Sequence, residues 1–273
     1  MRYTQPQAGP EKIDWGNPLA RGLEFVSITP GPRQPSHGLS TTSTVPLAIE
    51  VKGKGQTTRF DGTNYVSARG EVSKASEGTI LVMHQSTVLP PNGTPAYSHV
   101  LASTNGANGD YFGYILMLGN GSGALQFRTY ASANTLIGQA DGSVALNDGK
   151  PHVTIATWQT ATGGILQTYV DGVPHATSAA TGQPTTFSRA PRIGSSIDPF
   201  WGALDGNIYL VASWGRRLTA TEARLISANP WQLFSPPSRR LWTAGTTVPA
   251  LSGALIEGAD VAAAAVSVRV AAS

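Results

Sequence analysis

The sequence predicts an all-β protein, a two-layer antiparallel sandwich, on three observations. Gly (31) and Pro (19) are abundant among the 273 residues while charged residues make up only 13%; glycine and proline interrupt helices and build turns. Short stretches such as HVTIATWQ and ILQTYVDGVPHATSA alternate apolar and polar residues, the pattern of half-buried strands. About ten such stretches recur, and a single sheet of that size would leave a whole apolar face in water, so two sheets must pack together.

Taken in order, residues 1–22 are polar and proline-punctuated, ending in DWGNPLARG, and read as an N-terminal arm. A first apolar stretch, LEFVSI, precedes a Gly/Pro/Ser/Thr-rich loop. From Thr57 the strands follow regularly: TTRFDGTNYVSA, GTILVMHQS, SHVLAST, YFGYILMLG, ALQFRTYA, HVTIATWQ, the Asp171-Gly172 hairpin, and GNIYLVASWGRRL. Asp-Gly supplies the positive φ that a two-residue hairpin needs. The one convincing helix is TATEARLISANP, with Thr219 as cap, Glu222 three residues later and a proline stop; that spacing forms a capping box. Residues 227–273 read as a C-terminal arm, first WQLFSPPSRRLW, then an Ala/Val-rich tail with the alternating VSVRV.

Composition narrows the function classes. Hydrophobic residues at 40% are sufficient for a core, and the absence of cysteine removes disulfides and thiolate metal sites. A net charge of +3 without a massed basic run argues against nucleic acid. The N-terminus has no apolar h-region, and no run approaches the length of a membrane span. Neither a secretory signal nor a membrane partner is expected.

Four blocks carry a family resemblance: TRFDGTNYVSA, KPHVTIATWQ, ILQTYVDGVPHAT and RIGSSIDPFWGALDGNIYLVASWGRRLTATEARLI. In this order they resemble laminin-G-like, concanavalin A-like jelly rolls, which places the domain at residues 23–226. The flanks IDWGNPLARGLEF and ANPWQLFSPPSRRLW resemble those of tailed-bacteriophage proteins. The resemblance implies a non-enzymatic virion protein, on head, fibre or baseplate, made in the host bacterial cytoplasm. It would be a homo-oligomer bound to other virion proteins through its arms, with Trp231, Phe234 and Trp242 as subunit-interface anchors. The alternative is a carbohydrate-binding adhesion module for host surface glycans.

Candidate chemistry is sparse. The 16 acidic residues contain no E-x-D-x-E arrangement of the kind that sets an acid beside a nucleophile in glycoside hydrolysis. The five histidines are scattered without metal-ligand spacing. No catalytic residue, cofactor or metal is therefore expected. Family modules often hold calcium at the rim, where Asp61 and Asp205 stand here; but the neighbouring family acids are Asn64 and Gly206, so charge is missing. Trp158 and Trp214 read as core, and Trp201, in the loop SSIDPFWGA, as the exposed aromatic best placed to stack on a glycan.

Overall fold

The computed structural model describes residues 12–30, 40–43, 48–52, 55–69, 76–90, 99–103, 113–119, 121–132, 135–160, 163–182, 191–196 and 201–234. Strands β1 (Leu23–Ile28), β2 (Ser40–Ser43), β3 (Ile49–Lys52), β4 (Gly55–Asp61), β5 (Val66–Arg69), β6 (Glu77–Gln85), β7 (His99–Ser103) and β8 (Gly113–Leu118) come first. They are followed by β9 (Ala124–Ser132), β10 (Thr135–Ala145), β11 (His152–Gln159), β12 (Ile165–Val170), β13 (Val173–Ala179), β14 (Arg192–Ile193), β15 (Asp205–Trp214) and helix α1 (Ala220–Ala228). The first sheet runs β13-β12-β11-β6-β15-β4-β3, with β1 also on β15; the second runs β10-β9-β8-β7-β14-β5-β2. The sandwich read from the sequence is the observed fold.

Alternation fills the space between the sheets. Phe60, Ile80, Val82, Leu116, Phe127, Trp158, Leu166 and Val211 share one buried cluster. Trp158 lies against Tyr114 and Phe127, with ring centroids 5.2 and 5.8 Å away. Gly78 is required beside it, because a Cβ there would stand 2.2 Å from the indole. The Asp171-Gly172 hairpin joins β12 to β13 with φ of 50° and 83°, the double left-handed turn that matches strand twist. In α1 the capping box forms, with Glu222 N donating to Thr219 Oγ1 at 3.2 Å and Thr219 N to Glu222 Oε2 at 2.8 Å.

A second buried cluster covers the outer face of the first sheet. Leu81, Ile155, Leu210 and Trp214 from the strands pack with Ile13, Leu19, Ala223, Ile226, Trp231, Leu233 and Phe234. Backbone and side-chain bonds pin this roof: Asp14 N to Leu233 O, Asn17 Nδ2 to Gln232 O, and Trp214 Nε1 to Leu19 O, each 2.8 Å. Trp231 and Phe234 are therefore 8% and 5% exposed within their own chain. This corrects the expectation that they anchor a neighbouring subunit. A proline at the start of the short 3-10 turn Pro230–Leu233 folds the segment back instead of extending it. Trp242 and VSVRV lie outside the described residues, in a separate unit, Ser238–Ser273.

Candidate functional site

The outer face of the second sheet is built differently. Because Leu101, Leu116, Leu118 and Phe127 point into the sandwich, their sequence neighbours point out. The register aligns one outward row across six strands: Gln139, Arg128, Ile115, Ser103, Arg192 and Ser67. A second row holds Asp141, Gln126, Met117 and Val100. Trp201 closes over Val100, Ile115 and Met117, held by Val100 N donating to Gly202 O at 3.1 Å. Its exposure is 4%. Trp201 is thus a lid on a small apolar patch, which corrects its expected role as an exposed stacking ring. The apolar patch beneath offered it more burial than the loop position implied.

Two arginines flank that patch, each on an aromatic ring. The Arg128 guanidinium carbon is 5.5 Å from the Trp201 centroid, and that of Arg192 is 4.0 Å from the Tyr65 centroid. Arg192 Nη1 donates to Ser196 O at 2.9 Å. Burial pulls its guanidinium pKa below the ordinary value, while nearby Tyr65 acts the other way. Arg128 reaches Tyr130 and comes within 3.9 Å of Asp141, yet its buried Nε has no acceptor among the described residues. Sequence reading missed this pairing. The available signal was a polar position, Arg128, alternating with Phe127 beside a strand, YILML, apolar on both faces.

At the rim, Asp205 stands opposite Asp61 across β15 and β4. Asp205 Oδ1 accepts from Arg59 Nη2 at 2.5 Å. Asp61 Oδ1 accepts from Thr63 Oγ1, Thr63 N and Asn64 N at 2.8, 3.0 and 3.1 Å. The Thr63 hydroxyl, with these backbone N–H groups, holds the Asp61 carboxyl below its usual range. Beside them lies a cleft of about 190 Å³, lined by Glu50, Arg59, Gln85, Asp205 and Asn207 among others. These residues do not fit a family calcium ion, because a guanidinium already occupies Asp205 and Asp61 is committed to its own turn. Among the described residues no cluster of three potential metal ligands occurs.

The hairpin turn also organises a histidine. His152 Nδ1 lies 2.8 Å from Asp171 Oδ2, and Nε2 lies 3.0 Å from Asp148 Oδ1. The Asp171 hydrogen bond raises the His152 pKa against the opposing effect of burial. Asp171 Oδ1 accepts from Val153 N at 2.8 Å, so this carboxylate ties turn to strand. His152 is a hydrogen-bonded strand residue at the start of β11.

Two packed antiparallel sheets, one roofed and one bearing polar residues on its outer face, define a concanavalin A-like jelly roll. The chain belongs to the Laminin_G_3 family of the concanavalin A-like lectin/glucanases superfamily, whose model matches residues 60–224. It is similar in structure to the binding domain of Paraclostridial Mosquitocidal Protein 1 (TM-score 0.57, 14% identity, 77% of this chain and 52% of that one). The binding domain of botulinum neurotoxin DC in complex with SialylT gives TM-score 0.54 and 10% identity over 77% of this chain and 52% of that one. The chain thus spans about half the length of these toxin domains. Domain 4 of AbnA, an extracellular arabinanase from Geobacillus stearothermophilus in complex with arabinotriose, gives TM-score 0.52 and 12% identity over 75% of this chain and 100% of that one. No curated protein matches in sequence. The flank resemblance to bacteriophage proteins has no counterpart among these relatives.

Proposed function

We propose that the chain is a non-catalytic carbohydrate-binding module whose site is the outer face of the second sheet. One observation carries this reading: Arg128 and Arg192, each laid on an aromatic ring, stand in a single cross-strand row with Ile115 and Ser103 between them. A sugar ring offers hydroxyls at its edge and C–H groups on its face. Fixed guanidinium and amide donors suit the edge, and an apolar patch suits the face. The arabinotriose complex of an arabinanase domain matched over its whole length, and the SialylT complex of a toxin binding domain, support a sugar ligand on this fold. The virion reading, in contrast, loses two of its three expected anchors, because Trp231 and Phe234 are buried within the chain.

A glycan array followed by calorimetry tests the proposal. At least one oligosaccharide should bind, and the double substitution Arg128→Gln with Arg192→Gln should abolish binding while leaving the melting temperature near wild type. An array blank for the folded protein, or binding untouched by the double variant, overturns it.

A further inference from the structure

Resting on that carbohydrate reading, we infer that the ligand is an acidic oligosaccharide carrying carboxylates on separate sugar units, a uronic-acid chain, held at two points by Arg128 and Arg192. Among the described residues the two guanidiniums have few acceptors. An arginine presents five N–H donors in a planar fork. Among the described residues Arg192 makes one hydrogen bond, to the Ser196 carbonyl, and has no carboxylate partner. Arg128 reaches the Tyr130 hydroxyl and has one carboxylate, Asp141, at 3.9 Å, beyond hydrogen-bonding distance, while its Nε is buried without an acceptor among the described residues. A partly buried cation with idle donors is costly unless an anion completes it. Neutral hydroxyls would fill the donors but leave the charge; a carboxylate does both, and it matches the fork in two parallel bonds.

Spacing decides between one carboxylate and several. Arg128 lies on β9 and Arg192 on β14, with β8 and β7 between them. Three strand spacings place their backbones about 14 Å apart, and each guanidinium rests on a different ring, Trp201 or Tyr65, so the two are separate anchor points suited to a chain with an acid on more than one unit. Each guanidinium is fixed in place by its ring, Trp201 at 5.5 Å and Tyr65 at 4.0 Å, so little rotamer freedom is lost on binding. Between them the row presents Ile115 and Ser103, a neutral step for the intervening sugar. Asp141, beside Arg128, confines the anion to the inner side of that guanidinium.

The full chain should be titrated by calorimetry with oligogalacturonate, with the same oligosaccharide after carboxyl reduction, with sialyllactose, and with oligoglutamate. Oligogalacturonate should bind, the reduced form about tenfold or more weaker, because a charge-assisted hydrogen-bonded pair is lost. Arg128→Gln and Arg192→Gln should each weaken oligogalacturonate about tenfold, and Arg→Lys at either position should fall between, keeping charge without the fork. Binding should decline as salt rises to about 0.5 M. Equal binding of the reduced oligosaccharide overturns the acidic ligand while the carbohydrate reading stands. Sialyllactose binding as tightly as oligogalacturonate overturns the two-point grip, because it bears one carboxylate. Oligoglutamate binding equally well overturns the sugar in favour of an acidic peptide. If oligogalacturonate fails while a neutral glycan binds, this inference alone falls; if no glycan binds, the parent reading falls with it.

Discussion

The two outer faces of the sandwich receive opposite treatment from one chain. On the first sheet, Ile13, Leu19, Ala223, Ile226, Trp231, Leu233 and Phe234 roof the strands and complete a second core. On the second sheet, among the described residues, Trp201 covers Val100, Ile115 and Met117, with Arg128 and Arg192 on either side and amides and Asp141 nearby. Trp231 and Phe234 therefore serve stability, while the polar aromatic-backed face is the one proposed to bind. A large apolar side chain beside an open sheet face gains about 1.5–3 kcal/mol by lying down on it. That gain decides where Trp231 and Phe234 lie before any partner is considered.

The sharpest way to break the contrast is to cut the roof. Trp231→Ala should cost about 3–5 kcal/mol, the usual range for emptying a buried aromatic site, read as a shifted urea midpoint. Arg192→Gln on the other face should shift that midpoint little. Should Trp231→Ala prove neutral in the isolated protein, the segment does not belong to this core, and its aromatics return to the pool of partner contacts.

Much of this was legible in the residues. Period-2 alternation and the Asp171-Gly172 turn define β11 to β13, and Thr219 with Glu222 marks the start of α1, because strand faces, turns and caps are local rules. The roof was not legible. Trp231 and Phe234 sit among prolines in a segment with no periodicity, and only the geometry of β1 and β15 beneath shows that they fold back. The proposed binding face was half legible. Arg128 alternates correctly within ALQFRTYA, but its place in one row with Arg192 depends on strand order β9-β8-β7-β14, and β14 is only two residues long.

Acid should weaken the interior shared by both faces. His84 is fully buried, and neither ring nitrogen has a partner among the described residues. Burial first, then His152, lowers its pKa from 6.5 to about 3, against an opposing contribution from Asp171. The unfolded chain thus takes up this proton below pH 6.5 while the folded one does not, so stability falls as pH drops through that window. Burial lowers His99 and His175 too, and they add to the same slope. His152 runs the other way: its raised pKa contributes stability that is present below pH 6.5 and lost as pH climbs through the folded value. Carboxylates, with ordinary values of 3.8 and 4.5, intervene only at lower pH. Denaturation curves between pH 6.5 and about 5 should show His84→Leu less acid-sensitive than wild type. Equal slopes would mean that His84 is already hydrated or protonated in the fold.

A smaller effect tests the edge of the roof. Thr219→Ala removes the acceptor for Glu222 N and one partner of its carboxylate, costing about 1 kcal/mol. The Arg216–Glu222 ion pair, at 2.7 and 3.0 Å, should survive and limit the loss. Amide exchange in α1 should quicken, with exchange in β8 and β9 unchanged, because the helix packs on the outer face of the first sheet. Faster exchange on both sheets would show that the two faces are coupled rather than independent.

The smallest expected effect is at the rim, where calcium should do nothing. A stabilising cation would have to displace the Arg59 guanidinium from Asp205, where it sits 2.5 Å away and also donates to Gly206 O at 3.1 Å. It would also have to take Asp61 from the three donors of its own turn. Asn64, which could have added charge as an aspartate, instead accepts from Asp61 N at 3.4 Å. An ion at free concentration L, bound only by the folded state, stabilises it by RT ln(1 + L/Kd) and so raises the melting temperature as its concentration passes Kd. Melting curves in EDTA and in millimolar calcium should therefore superimpose, and Arg59→Gln is the control that exposes the acids. A calcium-dependent rise in wild type would show that the guanidinium yields, and the binding face would then extend from the second sheet onto the rim.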